Sequence, residues 1–167
     1  DGAESRADAK ALAAVLEQRR RRSREAHDRL AERWVEVGEE FALGTLRAEV
    51  LAEAWPAGPV VADLGCGAGF LSGWLAQRGA RVVAVDHSER MLATARRKAG
   101  ARGVEFRRGE LDALPLRDGE VDAAFSNLVW HHLPDVAAAA REVFRVLKPG
   151  GPFVVSDLQP HEADFMR

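Results

Sequence analysis

The stretch from Val60 to Phe70 constrains this chain more than any other. Val60-Val61-Ala62-Asp63-Leu64 is an apolar run of strand length, and it passes without a linker into Gly65-Cys66-Gly67-Ala68-Gly69. Phe70, Leu71, Trp74 and Leu75 then recur at helical spacing, and Gly79 stands where that helix stops. A strand without polar alternation must be covered on both faces. Further strand-length runs follow: Val82-Val83-Ala84-Val85, Val104-Glu105-Phe106, Val121 to Ser126, and Phe153-Val154-Val155-Ser156, with Pro152 tolerated at the start of the last. Helical segments separate them. One is N-capped by Ser88 and carries Met91, Leu92 and Ala95. Another runs from Asp135 to Leu147, with Val136, Ala140, Val143 and Leu147 on one side, and ends at Pro149-Gly150-Gly151.

This alternation predicts an α/β fold: a Rossmann-like, doubly wound, mainly parallel sheet of five strands, preceded by N-terminal helices. Ligands of such sheets bind beyond the carboxyl ends of the strands, at the switch point. The N-terminal part divides at about residue 22. Residues 1–22 read as a helical connector, with Leu12 and Leu16 on one face. Residues 23–55 read as helices packing on the core: Ala26, Leu30, Trp34 and Val37 share one face, and Leu43, Leu46, Val50 and Leu51 another. Gly38 and Gly44 punctuate between them. Residues 56–167 form the core domain. The run Arg19–Arg22 with Arg24 is either a solvated helix face or a segment that touches nucleic acid when a DNA-binding domain precedes it.

A length of 167 residues suits one domain. Its 24 basic and 26 acidic residues give a formal charge of −2, which removes any global attraction to nucleic acid. The single cysteine, Cys66, forbids an internal disulfide and fits a reducing, cytoplasmic setting. The polar start is no signal peptide, and the apolar runs are too short to cross a bilayer. Cys66 and the five histidines are scattered in sequence, without zinc spacing, so no metal is expected. The oligomeric state is not set by these features.

The glycine loop permits close backbone approach to a ligand, and its amides suit polar groups at a helix start. The competing reading is a bare strand-to-helix turn. A dinucleotide fingerprint needs glycine or alanine at the sixth position, where this chain has Phe70; the spacing here is Gly-x-Gly-x-Gly. Asp86 ends the second strand about twenty residues after Gly65, where a carboxylate can accept both hydroxyls of a ribose. It could instead cap the next helix. Loop and carboxylate together imply adenosine.

Residues 59 to about 157 resemble class I S-adenosylmethionine-dependent methyltransferases, in the group similar to the ubiquinone and menaquinone C-methyltransferases. The segments that carry the likeness are VADLGCGAGFLSGWLAQRGARVVAVDHSERMLATARRKA, VEFRRGELDALPLRDGEVDAAFSNLVWHHL and EVFRVLKPGGPFVVSD. The resemblance implies that Asp63 with Gly65, Cys66, Gly67 and Gly69 holds the amino acid part of S-adenosylmethionine. It implies that Asp86 binds the ribose and that His87 and Met91 line the adenine. Glu110 and Leu111 face the adenine amino group, with Glu110 where the family usually has Asp. Asn127 approaches the methionine moiety. RRSREAHDRLAERWVEV and VSDLQPHEADFMR are similar to a narrower group, bacterial fusions with an upstream arsenical-repressor-type winged helix. His27 and Val35 depart from that group's pattern, which weakens any lid role for the segment.

His131 and His132 follow the fourth strand. One of them acts as general base or substrate contact, or the pair packs and caps the next helix. Cys66 reads as a small residue chosen for fit, and arsenic methylation by three cysteines is excluded by count. The implied reaction is in-line methyl transfer to a small-molecule nucleophile, in which alignment alone supplies about 7–11 kcal/mol. A weakly polar wall would help, and Trp130 and Phe70 are its candidates. Two rivals remain open. A nicotinamide-dependent oxidoreductase is opposed by Phe70 and by the lack of any tyrosine. A non-catalytic cofactor sensor of a transcriptional regulator is open on fold grounds.

The chain has no initiator Met, and only Leu158 to Arg167 follow the fifth strand. The resemblance implies seven strands, so the last two are expected to be missing and a sheet edge left bare. The 167-residue chain alone is then weakly stable or aggregation-prone; a cooperative thermal melt of a monomer would contradict this.

Overall fold

The computed structural model of the chain describes residues 2–30, 59–98 and 103–157. Five parallel strands form one sheet: β1 (Val60–Leu64), β2 (Arg81–Asp86), β3 (Val104–Arg108), β4 (Ala123–Asn127) and β5 (Phe153–Ser156), in the order β3-β2-β1-β4-β5. Helix α1 (Gly2–Leu30) precedes them. Helices α2 (Phe70–Gln77) and α3 (Glu89–Lys98) connect β1 to β2 and β2 to β3, and α4 (Val136–Val146) connects β4 to β5. This is the doubly wound sheet expected from the alternating runs. The winding reverses between β1 and β4, and there the strand ends part to leave a crevice.

Each face of the sheet has its own core. Val61, Val82, Ala84, Leu92, Ala123 and Phe125 pack with Leu71 and Leu75 under α2 and α3. On the other face Ala62, Leu64, Val83, Val85 and Ala124 pack with Ala139, Val143 and Val146 of α4 and with Leu111, Leu114 and Leu116. Alternate side chains of one strand serve opposite layers, as the pleat dictates. The middle of the sheet is lined with alanine: Ala62, Ala84, Ala123 and Ala124 are all fully buried. Methyl groups there let the helices approach closely.

The sequence-derived boundaries shift in places. The fourth strand starts at Ala123 rather than Val121, because Val121 leaves the ladder to bridge Leu147. The α4 face is rotated: Val136 and Ala140 are exposed, while Ala139, Val143 and Val146 are buried. Several phases fit an alanine-rich helix, and docking on the sheet selects one of them. Ser88 caps α3 as expected, its Oγ accepting from the Met91 amide at 3.1 Å. A single α1 crosses the expected division at residue 22 without a break. The helical faces placed on Trp34 and Val37 and on Leu43 to Leu51, with Gly38 and Gly44, lie outside the described residues. So do Val35 and residues 158–167.

Phe125 is fully buried beneath the helices, whereas Phe144 on α4 is 85% exposed. Phe125→Ala should cost roughly 3–5 kcal/mol in urea unfolding, and Phe144→Ala should stay within about 0.5 kcal/mol.

Candidate functional site

The loop after β1 is shaped by its own backbone and by β2. The Gly65 and Cys66 amides both donate to the Val85 carbonyl, at 2.8 and 3.0 Å. The Gly67 amide donates to Oδ2 of Asp86 at 2.9 Å. Gly65 and Gly69 have φ near +77° and +79°, where side chains are strained. A Cβ at Gly65 would stand 2.4 Å from the Val129 side chain, and one at Gly69 would stand 2.9 Å from Ala95 of α3. Close packing of loop and helix therefore rests on Gly69, and the sixth-position Phe70 turns outward. Phe70 lines a shallow groove with Gly73, Trp74, Gln77 and Lys98, its ring 5.5 Å from the Lys98 ammonium. Trp130 packs instead in the α4 layer, 5.3 Å from Phe153. The two aromatics do not wall one pocket, contrary to expectation, because α2 and α4 lie on opposite faces.

Asp63 sits beneath the loop, 2% exposed, with Ser72 Oγ donating to it at 2.5 Å. Burial lifts its carboxyl to about 6, against the pull of the Ser72 hydrogen bond. Burial, and then the nearby Asp63 and Asp86 charges, push the Cys66 thiol up. A protonated thiol is no nucleophile, in accord with a residue chosen for size. Asp86 takes the capping role weighed for it and also braces the glycine loop. Its Oδ1 accepts from the Ser88 amide at 2.8 Å while its Oδ2 holds the loop. Each carboxylate oxygen retains a further lone pair.

Around Asp86 the structure gathers His87, Met91, Glu110 and Leu111. Met91 and Leu111 are buried. Nδ1 of His87 lies 3.5 Å from Glu110, and Nη1 of Arg24 on α1 donates to Glu110 at 2.5 Å. Burial raises the Glu110 carboxyl, but hydrogen bonds from His87 and Arg24 outweigh it and hold the group below its ordinary value. Arg20 pairs with Asp112, and Ser88 Oγ donates to Asp28. Arg20 and Arg24 are thus tied to Asp112 and Glu110, while Arg19, Arg21 and Arg22 stand exposed on a solvated face, and α1 is fastened over the ends of β2 and β3.

His27 and His87, distant in sequence, come together with the His131–His132 pair. His27 of α1 meets His87 edge-on at 5.1 Å and His132 at 4.9 Å, and His131 lies 3.8 Å from His132. Burial, and then the neighbouring His131 and His27, push His132 down to about 4. Among the described residues no cluster of histidine, cysteine and carboxylate is arranged to hold a metal. Asp157 was missed in the sequence. It follows β5, and its Oδ2 accepts from the Trp130 amide at 2.7 Å and the His131 amide at 3.3 Å, while its Oδ1 lies 2.6 Å from His131 Nδ1. Only the β4–β5 pairing brings these segments together, so no local spacing could reveal the contact. At the end of β4, Asn127 Oδ1 and the nearby Trp130 Nε1 are buried without a hydrogen-bond partner among the described residues.

Residues 62–155 match a family described as a methyltransferase domain. The chain is 44% identical over 104 residues to the demethylmenaquinone methyltransferase of Thermus thermophilus, covering 60% of this chain and 47% of that protein. It is 35% identical over 137 residues to the ubiquinone biosynthesis O-methyltransferase of Pseudomonas aeruginosa, covering 77% and 59%. A crystal structure of an S-adenosylmethionine-dependent methyltransferase from Mesorhizobium loti superposes with TM-score 0.60 at 39% identity, over 65% of this chain and 51% of that one. The chain spans about half the length of these relatives.

His132 carries a pH consequence. An imidazole lowered from 6.5 to about 4 in the fold charges more readily when unfolded. Its contribution to stability is complete above pH 6.5 and is lost as pH falls towards 4. Urea midpoints measured at pH 7, 6 and 5 should fall faster in the native chain than in His132→Gln.

Proposed function

We propose that this chain, which belongs to the methyltransferase-domain family, transfers a methyl group from S-adenosylmethionine to a small-molecule acceptor in the cytoplasm. One observation carries the reading. At the switch point, the glycine loop is flanked by a ribose-type carboxylate, Asp86, and by a buried carbonyl oxygen of Asn127 that has no donor among the described residues. A buried acceptor left unpaired costs roughly 1–3 kcal/mol, so a ligand that supplies a donor is favoured there. An ammonium group beside the loop would supply it. The donor set therefore fits an amino acid joined to a nucleoside.

S-adenosylmethionine, when bound, supplies a methyl group activated by a positively charged sulfur. The chain's part is to bind and orient. Gly65, Cys66, Gly67 and Gly69 present the loop backbone, with Asp63 shaping it from below, and Asn127 receives the amino group. Asp86 accepts the ribose hydroxyls. His87, Met91, Glu110 and Leu111 form the adenine end, with Arg24 and His27 of α1 closing over it. Among the described residues no helix is long and apolar enough to cross a membrane. A nucleic-acid role would need a DNA-binding domain upstream.

Calorimetric titration with S-adenosylhomocysteine should give one site, and Asp86→Ala should weaken it at least tenfold, about 1.4 kcal/mol by the affinity scale. Absence of heat in the native chain would overturn the reading. Tight binding without transfer to any of a broad acceptor panel would mark a sensor instead.

A further inference from the structure

His131 and Asp157 form a pair whose geometry exceeds what packing or capping needs. Two hydrogen bonds from the Trp130 and His131 amides to Oδ2 of Asp157 suffice to hold the 3₁₀ turn Trp130–His132 at the end of β5. The second oxygen is turned to the ring, with Oδ1 at 2.6 Å from Nδ1 of His131. A carboxylate only accepts, so the proton of the neutral ring sits on Nδ1 and the lone pair on Nε2. Nε2 makes no hydrogen bond among the described residues, and the ring remains 32% exposed. A carboxylate that fixes the tautomer of an accessible imidazole is the arrangement of a general base and its orienting group.

The neighbours decide between the two histidines. His132 stacks between His131 and His27, and burial and those rings lower it to about 4, so it is neutral and a poor proton acceptor. The groups facing His131 are Asp157 from the end of β5 and His132 from its own turn, with His27 of α1 behind His132. The one carboxylate in this set touches His131. The turn begins three residues after Asn127, the last residue of β4, beside the switch point of the sheet.

We infer that His131 is the proton acceptor of the reaction and Asp157 its positioning residue, and that the methyl acceptor is a hydroxyl or phenol, whose nucleophilic atom carries a proton at neutral pH. The inference rests on the methyl-transfer reading. The acceptor O–H proton passes to Nε2 of His131. The electron pair left on oxygen forms the bond to the methyl carbon, and the pair of the broken carbon–sulfur bond stays on sulfur. The imidazolium, held by Asp157, returns its proton to water. A thiolate or a free amine would need no such base.

The test uses the full chain with Asp157→Asn, Asp157→Glu and His131→Ala. Asn keeps an oxygen for the two amides but presents an N–H towards the ring, which forces the opposite tautomer. ¹⁵N imidazole spectra should show His131 protonated on Nδ1 in the native chain and on Nε2 in Asp157→Asn, with the native pattern restored by Asp157→Glu. A native Nε2–H tautomer, or no change in Asp157→Asn, overturns the role of Asp157. Methyl transfer from labelled S-adenosylmethionine is then measured on a panel of phenols, alcohols, thiols and amines. Hydroxyl acceptors should be methylated, with kcat falling roughly 100-fold in His131→Ala and Asp157→Asn at unchanged KM, in line with general-base catalysis. The acidic limb of the native pH–rate profile should vanish in both. Transfer confined to thiols or amines, absence of transfer to every hydroxyl acceptor, or equal rates in His131→Ala overturns the base and the acceptor class. Binding of S-adenosylhomocysteine, read separately by calorimetry, distinguishes these failures from failure of the methyl-transfer reading.

Discussion

The carboxylate of Asp86 ties the whole crevice together. One oxygen takes the Gly67 amide and so fixes the bend after β1, and the other takes the Ser88 amide and so starts α3. These are charge-assisted bonds in a nearly buried place, where they are stronger than in water. The parallel ladder puts β1 and β2 in register, and Gly65 and Cys66 complete the junction on the Val85 carbonyl. Without the Asp86 bond, the Gly67 amide at the middle of the loop would lose its anchor.

Much of this was legible because it is local. Val60–Leu64, the glycines and Phe70 onward announce strand, turn and helix within a dozen residues, and Ser88 caps α3 as its type requires. Strand runs without polar alternation give a sheet covered on both sides, and that is what forms. The family likeness of residues 59–157 follows the same local segments, and the match over 62–155 falls on them.

What was not legible depends on tertiary juxtaposition. Phe70 is apolar and lies beside the loop, yet the helix carries its ring to the α2 side, away from Trp130. The face of α4 could not be phased from Val136, Ala140 and Val143 alone, since alanine fits both a buried and an exposed position. The arginine run carries no sign of its partners, because Asp112 and Glu110 are some ninety residues away. Asp157 gains meaning only when β5 lies beside β4. His27 and His87 join the adjacent pair His131 and His132 for the same reason, though both look isolated in sequence.

The alanine-lined centre of the sheet has a bearing on how such a domain can change. Ala62, Ala84, Ala123 and Ala124 leave room for only a methyl group at their points in the two layers. A branched residue at any of them would lift a helix, and with it the whole rim of loops, by part of an ångström. The chemistry at the rim can therefore diversify freely through the loops, while the spacer beneath tolerates almost nothing. Divergence in specificity and constancy in scaffold come from the same layered geometry.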